Sequence, residues 1–190
     1  MSETTELRFR DAETEAQFAA MSRIHARGWR KSYIDAVPAD YMTEVITDDH
    51  WIPMFRADYE SGNGRRGLML LRGDKPVACA TYGPARIGAQ AHAGAICKFN
   101  SAAYEGWGEV ISFYTDPDET GLGYGAVLMR EVLSRLKAAG FSRCYVLVLK
   151  ENEGARRFYA REGFRWDGTH EDIPFPHDTI CVDLRYTRAL

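Results

Sequence analysis

Apolar and polar positions divide the chain into short elements. Leu7 and Phe9 alternate with Arg8 and Arg10, the period of two that marks a strand. From Asp11, a side chain able to cap a helix, to about Gly28, the positions Ala16, Ala19, Ala20 and Ile24 recur at helical spacing, with Phe18 at the margin of that face. Pro38-Ala39-Asp40 interrupts the chain ahead of a second helical stretch reaching Tyr59, and the glycines between Ser61 and Gly67 read as a turn. Two strand patterns follow, Leu68 to Arg72 and Pro76 to Tyr82, joined by Gly73-Asp74-Lys75 as a hairpin. Residues 85–106, rich in Ala and Gly without periodicity, are expected to be a loop.

The second half is more regular. Val110 to Thr115 predicts a strand ended by Asp116-Pro117. Gly121 to Ala139 predicts a helix with Leu128, Val132, Leu133 and Leu136 on one face and Gly140 as its stop. Cys144 to Leu149 is almost entirely apolar, as an interior strand requires. A helix from about Asn152 to Glu162, stopped by Gly163, precedes two strands at about 164–170 and 178–186. The order β-α-α-β-β-β-α-β-α-β-β implies an α/β (α+β) domain, a mixed sheet with helices on both faces. Without repeat, low-complexity tract or linker, residues 1–190 are expected to form a single domain.

Composition narrows the classes of function. With 45% hydrophobic and 27% charged residues the chain resembles a globular protein, and a net charge of -3 supplies no bulk field for nucleic acid or an anionic membrane. No apolar run approaches the ~20 residues of a membrane helix, and the acidic, polar start Met1 to Glu6 does not read as a secretory signal. Cys79, Cys97, Cys144 and Cys181 are scattered, with no CxxC pair. Cys79 and Cys144 lie in apolar runs, where reduced buried thiols are expected, so a cytoplasmic location follows. No histidine and carboxylate cluster has metal-ligand spacing, so no metal is expected.

Glycine patterns carry the chemistry. Gly62-Asn63-Gly64-Arg65-Arg66-Gly67 is a literal GxGxxG, but it follows a helix and precedes a strand, the reverse of what an anion at a helix N-terminus needs. Gly121-Leu122-Gly123-Tyr124-Gly125-Ala126 follows a strand and opens a long helix, so its N–H groups can converge on phosphate oxygens. Glycine costs a helix interior ~1 kcal/mol, which gives three glycines at this helix start a purpose. There is no GxxxxGK[ST]. A dinucleotide fingerprint survives literally in Gly121, Gly123 and Ala126 with Glu151 beyond the next strand, although five residues separate strand from glycine where that turn is tight.

From Glu109 to Phe164 the chain resembles the GNAT superfamily of acyl-CoA-dependent N-acyltransferases. The resemblance rests on Glu109-Val110-Ile111-Ser112-Phe113-Tyr114-Thr115-Asp116-Pro117, then Thr120-Gly121-Leu122-Gly123-Tyr124-Gly125, then Asn152-Glu153-Gly154-Ala155-Arg156-Arg157-Phe158-Tyr159 and Gly163-Phe164. More loosely it extends to the N-terminal strand, helix and Trp29-to-Tyr41 region. It implies a mostly antiparallel central sheet of about seven strands, splayed between the fourth and fifth, and acetyl-CoA as cosubstrate. Coenzyme A would place its pyrophosphate on the N–H groups of Thr120, Gly121, Leu122, Gly123, Tyr124 and Gly125. The family usually carries Arg or Gln where this chain has Thr120. The pantetheine arm would lie between the two splayed strands and pair with backbone at Phe113, Tyr114 and Thr115. Asn152 would bond that arm, and Arg156 or Arg157 would reach the ribose phosphate.

In the same picture Tyr159 is the general acid for the departing thiolate, and Glu109 a candidate base, with His92, His170 and His177 as alternatives. Cys97 has no evident base and is not expected to act as a nucleophile. The implied reaction is N-acetyl transfer to a primary amine, small molecule or peptide, by direct attack in a ternary complex. A coenzyme-binding module without catalysis, and an NAD-dependent oxidoreductase, remain the competing readings. Trp29, Tyr33, Tyr41, Trp51 and Phe55, with Phe99, Tyr104 and Trp107, supply aromatic surface that is mostly core. Phe175, between Pro174 and Pro176, would wall the acceptor cleft or meet a second copy; a homodimer through the late-strand edge is compatible with the pattern.

Overall fold

The computed structural model describes residues 6–92, 95–99 and 104–190, with 88–92 and 95–99 described by their backbone. A seven-stranded sheet is built from β1 (Leu7–Asp11), β2 (Arg66–Arg72), β3 (Lys75–Pro84), β6 (Gly108–Thr115), β7 (Arg143–Leu149), β8 (Arg165–Phe175) and β9 (Thr179–Ala189), in the order β1-β2-β3-β6-β7-β9-β8. All neighbours are antiparallel except β6 and β7. The expected mixed, mostly antiparallel sheet with helices on both faces is what forms.

Two departures of the backbone create the site. The parallel pair is registered only from Gly108↔Cys144 to Val110↔Val146, after which the strands part. Against β3, the register of β6 slips by one residue, from Tyr82↔Val110 to Thr81↔Ser112, leaving Ile111 as the extra residue of a bulge. The bulge changes the alternation: Val110 and Phe113 face one core, Tyr114 the other. Beyond Val110, backbone groups of β6 that would have paired with β7 face the gap.

Helices α1 (Glu15–Ser32), α2 (Ala39–Glu44) and α3 (Ile52–Ser61) cover one face, and α4 (Tyr124–Ala138) and α5 (Glu153–Arg161) the other. On α4 the predicted apolar stripe is buried: Leu128, Val132 and Leu136 are at most 1% exposed and Leu133 7%, with Met129 joining them. Each such burial is worth about 1.5–3 kcal/mol, which fixes the helix whose first turn meets the gap.

Sequence periodicity erred where tertiary packing overrode it. Asp11 ends β1, and α1 begins instead after Thr14, whose N–H donates to Gln17 Oε1 at 3.0 Å. The buried face of α1 is Phe18, Met21, Ile24, His25 and Trp29, while Ala16 is exposed and Ala19 and Ala20 only half-buried. Gly28 does not stop the helix. A Cβ there would sit 2.3 Å from Tyr114 Cδ1, so glycine lets the helix lie against β6. The stretch after Pro38 is two helices rather than one. Within 85–106, expected as a loop, β4 (Gly88–His92) pairs antiparallel with β5 (Ala95–Phe99). Phe175 is buried within the chain, packed on Trp29 and Tyr41, so its ring forms no contact surface for a second copy.

Candidate active site

A cavity of about 1290 Å³ runs from the start of α4, through the gap between β6 and β7, to α1 and α3. That exceeds the ~300–1,000 Å³ of a usual small-ligand pocket; it has room for a long ligand and a second one at its end.

At the α4 end, Thr120, Gly121, Gly123, Tyr124 and Gly125 line the cavity. Gly121 and Gly123 have φ of +84° and +83°, and a Cβ on either would meet nothing within 4 Å. Glycine is needed for the conformation, and the space beside it is open. Val127 N–H reaches Gly123 O at 3.3 Å, so the amides of the preceding turn have no helical carbonyl and face outward with the positive end of the helix dipole. Leu122 points its side chain to solvent and could contribute only backbone.

Three carboxylates adjoin this anion-seeking turn, and all three are neutralised. Asp116 and Asp118 accept from Arg27 at 2.6 and 2.7 Å. Glu119 accepts from Arg72 at 3.0 Å and Lys75 at 2.6 Å. Three cations thus offset three anions beside the loop.

In the gap, Phe113, Tyr114 and Thr115 line one wall, and Val146 to Leu149 the other. Phe113 stacks on Phe158 with centroids 5.6 Å apart. Asn152 caps α5, its Oδ1 accepting from Ala155 N–H at 3.0 Å, which leaves its amide NH₂ to donate into the cavity it lines. Tyr159 is buried among Phe113, Phe158 and Phe164 and lines the cavity. Burial, then the charge of Asp183, pushes its phenol well above the usual range and keeps it protonated.

Glu109 and Arg156 do not join these residues. Glu109 is fully buried behind Arg86, whose Nη2 donates to Oε1 at 2.6 Å and whose Nε and backbone N–H donate to Oε2 at 3.1 and 2.9 Å. A carboxylate held by one guanidinium on both oxygens is a structural anchor; it is Arg86, not Glu109, that lines the cavity. Arg156 turns away, donating to Lys150 O at 3.0 Å and Tyr186 Oη at 3.3 Å. Arg157 is exposed and paired with Glu153. His170 and His177 pair at the surface with Asp172 and Asp40, away from the cavity. The side chains of His92, Cys97 and Phe99 lie outside the described residues.

Four of the polar lining residues that sequence reasoning missed bear on the chemistry of this end. His25 is sandwiched between Trp51 and Tyr114, at 3.9 and 4.3 Å between centroids. His50, whose pKa is lowered by burial, and Arg86 also line the wall. The fourth is Asp183 on β9, opposite Leu149, 7% exposed, with Oδ1 lacking any hydrogen-bond partner among the described residues. Burial raises its pKa to about 7 against the opposing effect of Arg86, with Glu151 and Glu171 adding to the rise. A signal existed: Asp183 and Arg185 are charges at alternate positions of a strand flanked on both sides, where apolar residues are expected. Cys79, Cys144 and Cys181 are buried free thiols, and burial pushes Cys144 and Cys181 up to about 12 and 11.

Fold and site together define an α/β protein that can seat a phosphate-bearing ligand on a helix start and carry its arm between splayed strands. The model of the Acetyltransferase (GNAT) family matches residues 19–164, and the chain belongs to that family. The PaiA N-acetyltransferase of Thermoplasma acidophilum, solved with coenzyme A, shares the fold at a TM-score of 0.70 and 13% identity, over 97% of this chain and 99% of that one. The ribosomal-protein-alanine N-acetyltransferase of Brucella melitensis matches at 0.70 and 17%, over 96% and 99%. YncA of Salmonella typhimurium, a putative acetyltransferase solved with acetyl-CoA, matches at 0.64 and 15%, over 97% and 94%. Uncharacterized N-acetyltransferases of Mycobacterium tuberculosis and Mycobacterium bovis are 38% identical over 61 residues, a segment spanning 32% of this chain and 39% of theirs.

Among the described residues no helix is long and apolar enough to cross a membrane, and no group of three His, Cys, Asp or Glu side chains could hold a metal.

Proposed function

We propose that this protein transfers an acetyl group from acetyl-CoA to a primary amine, by direct attack within a ternary complex. The observation that carries the reading is a single cavity joining the glycine turn of α4, the gap between β6 and β7, and the buried phenol of Tyr159. Coenzyme A would lay its pyrophosphate on the amides of residues 120–125 and its arm along Phe113, Tyr114 and Thr115, with Asn152 donating to it. The acetyl thioester then lies deep in the gap. An unpaired β6 amide near Tyr114 would hold the developing oxyanion.

The amine attacks the carbonyl carbon, the C–S bond breaks with its electrons on sulfur, and Tyr159 gives that sulfur a proton; the proton that nitrogen sheds as the amide forms restores the phenol. A phenol above its usual pKa of about 10 is a weak acid. Burial that weakens it also raises the proton affinity of a thiolate formed beside it, so the transfer remains matched. The buried free thiols support a reducing, cytoplasmic setting.

The test is release of free thiol from acetyl-CoA with a panel of primary amines. Release should require an amine. Tyr159→Phe should lower turnover by about 10²-fold or more while leaving acetyl-CoA affinity nearly unchanged. Coenzyme binding with no amine-dependent release would leave a binding module instead.

A further inference from the structure

We infer that Asp183 is the acceptor's docking point: the carboxylate pairs with an alkylammonium whose carbon skeleton lies against the aromatic wall of α1 and β6. This inference rests on the acetyl-transfer reading and names the class of acceptor.

The argument starts from a charge inventory. Asp183, Glu171 and Arg185 project from one face of neighbouring strands, Asp183 directly opposite Glu171 and two positions from Arg185. Glu109 and Arg86 stand behind the same face of the sheet. Arg86 pairs with Glu109, and Arg185 with Glu171. Two guanidiniums thus answer two glutamates, and Asp183 is the carboxylate left over. It is more than nine-tenths buried, one of its oxygens has no partner among the described residues, and it lines the cavity. A buried carboxylate without a partner is costly, and facing a second carboxylate across the strands makes it more so. A cation entering the cavity would relieve both costs.

The rest of the wall suits such a cation. Trp29 and Tyr33 stack at 4.3 Å, and His25 stacks on Tyr114 at 4.3 Å, presenting ring surface beside the carboxylate. Aromatic faces attract ammonium groups and cover alkyl chains. A neutral acceptor would leave Asp183 unanswered.

The same pairing supplies a proton acceptor. The N–H bond of the ammonium breaks toward Asp183, which becomes the carboxylic acid, and the electron pair stays on nitrogen for attack on the thioester. The proton leaves to solvent after the product departs. The groups whose charge or titration bears on Asp183 are Arg86 after β3, Glu151 before α5, Glu171 on β8, Cys181 on β9, Tyr33 just after α1, Tyr114 on β6 and Tyr159 on α5. Burial and these neighbours hold Asp183 near a pKa of about 7, closer to an amine than an ordinary carboxylate is.

The experiment compares three alkylammoniums (butylammonium, 2-phenylethylammonium and 1,4-diaminobutane) with their neutral alcohol counterparts. Binding is followed by tryptophan fluorescence with saturating coenzyme A and again without it. At least one ammonium should bind about tenfold or more tightly than its alcohol, and Asp183→Asn should abolish that preference while alcohol binding is unchanged. Equal binding of every ammonium and alcohol by the wild-type protein, or a preference that survives in Asp183→Asn, overturns the inference. A coenzyme that fails to bind while the preference persists would overturn the acetyl-transfer reading and leave the ammonium site standing.

Discussion

Glu109 and Asp183 both carry a carboxylate into the interior, and their neighbours set different fates for them. Glu109 is held on both oxygens by Arg86. Removing its charge breaks a buried ion pair, which costs about 3–5 kcal/mol. Glu109→Gln should therefore show a large fall in melting temperature; full stability with lost turnover would instead give the carboxylate a chemical role. Among the described residues Asp183 has no such partner, and its folded-state pKa of about 7 lies above the unfolded value of about 3.9. The folded state then holds more protons than the unfolded one between those values, so stability falls as pH rises through that window. Three units correspond to roughly 4 kcal/mol at most. Asp183→Asn should gain on the wild-type protein in melting temperature from about pH 4 to about pH 7; parallel curves would refute the shifted carboxylate. Glu109 was legible as a strand-opening acid in the sequence, but the guanidinium that occupies it comes from a segment without periodicity. Residue type alone could not distinguish an anchor from a base.

Elements reveal the same division between local and long-range information. The start of α4 was readable because its glycines answer a local need: Gly121 and Gly123 lie at φ values that favour glycine. Placing Ala at Gly121 meets no neighbour, so its cost is conformational, roughly 1–2 kcal/mol. Gly121→Ala should weaken acetyl-CoA binding through a displaced amide, with only a modest loss of melting temperature; unchanged affinity would remove that turn from the coenzyme site. Gly28 is the opposite case. Its φ is unremarkable, and its reason lies 2.3 Å away in Tyr114 on a strand more than eighty residues later, so it read as a helix stop. The buried stripe of α4 was legible because period and packing agree, whereas on α1 the small alanines imitated a core face that Phe18, Met21 and Trp29 occupy.

At the scale of the molecule, the sheet order and the parting of β6 from β7 bring together residues more than a hundred positions apart. Trp29, Tyr114, Tyr159 and Asp183 come from α1, β6, α5 and β9 and meet in one cavity. The glycine-turn end of the cavity was legible because its motifs are contiguous; the Asp183 end was not, because tertiary contacts alone assemble it. In the proposed reaction the donor would rest on backbone amides and the acceptor on side chains, as a constant coenzyme and an acceptor specified by this chain would require. The most direct measurement is calorimetric titration of the protein with acetyl-CoA, with NAD and adenosine diphosphate as controls. Micromolar binding of acetyl-CoA, at one site and well above both controls, is the expected result. No acetyl-CoA binding, or NAD bound as tightly, would contradict the assignment of the glycine turn and the acetyl-transfer mechanism built on it.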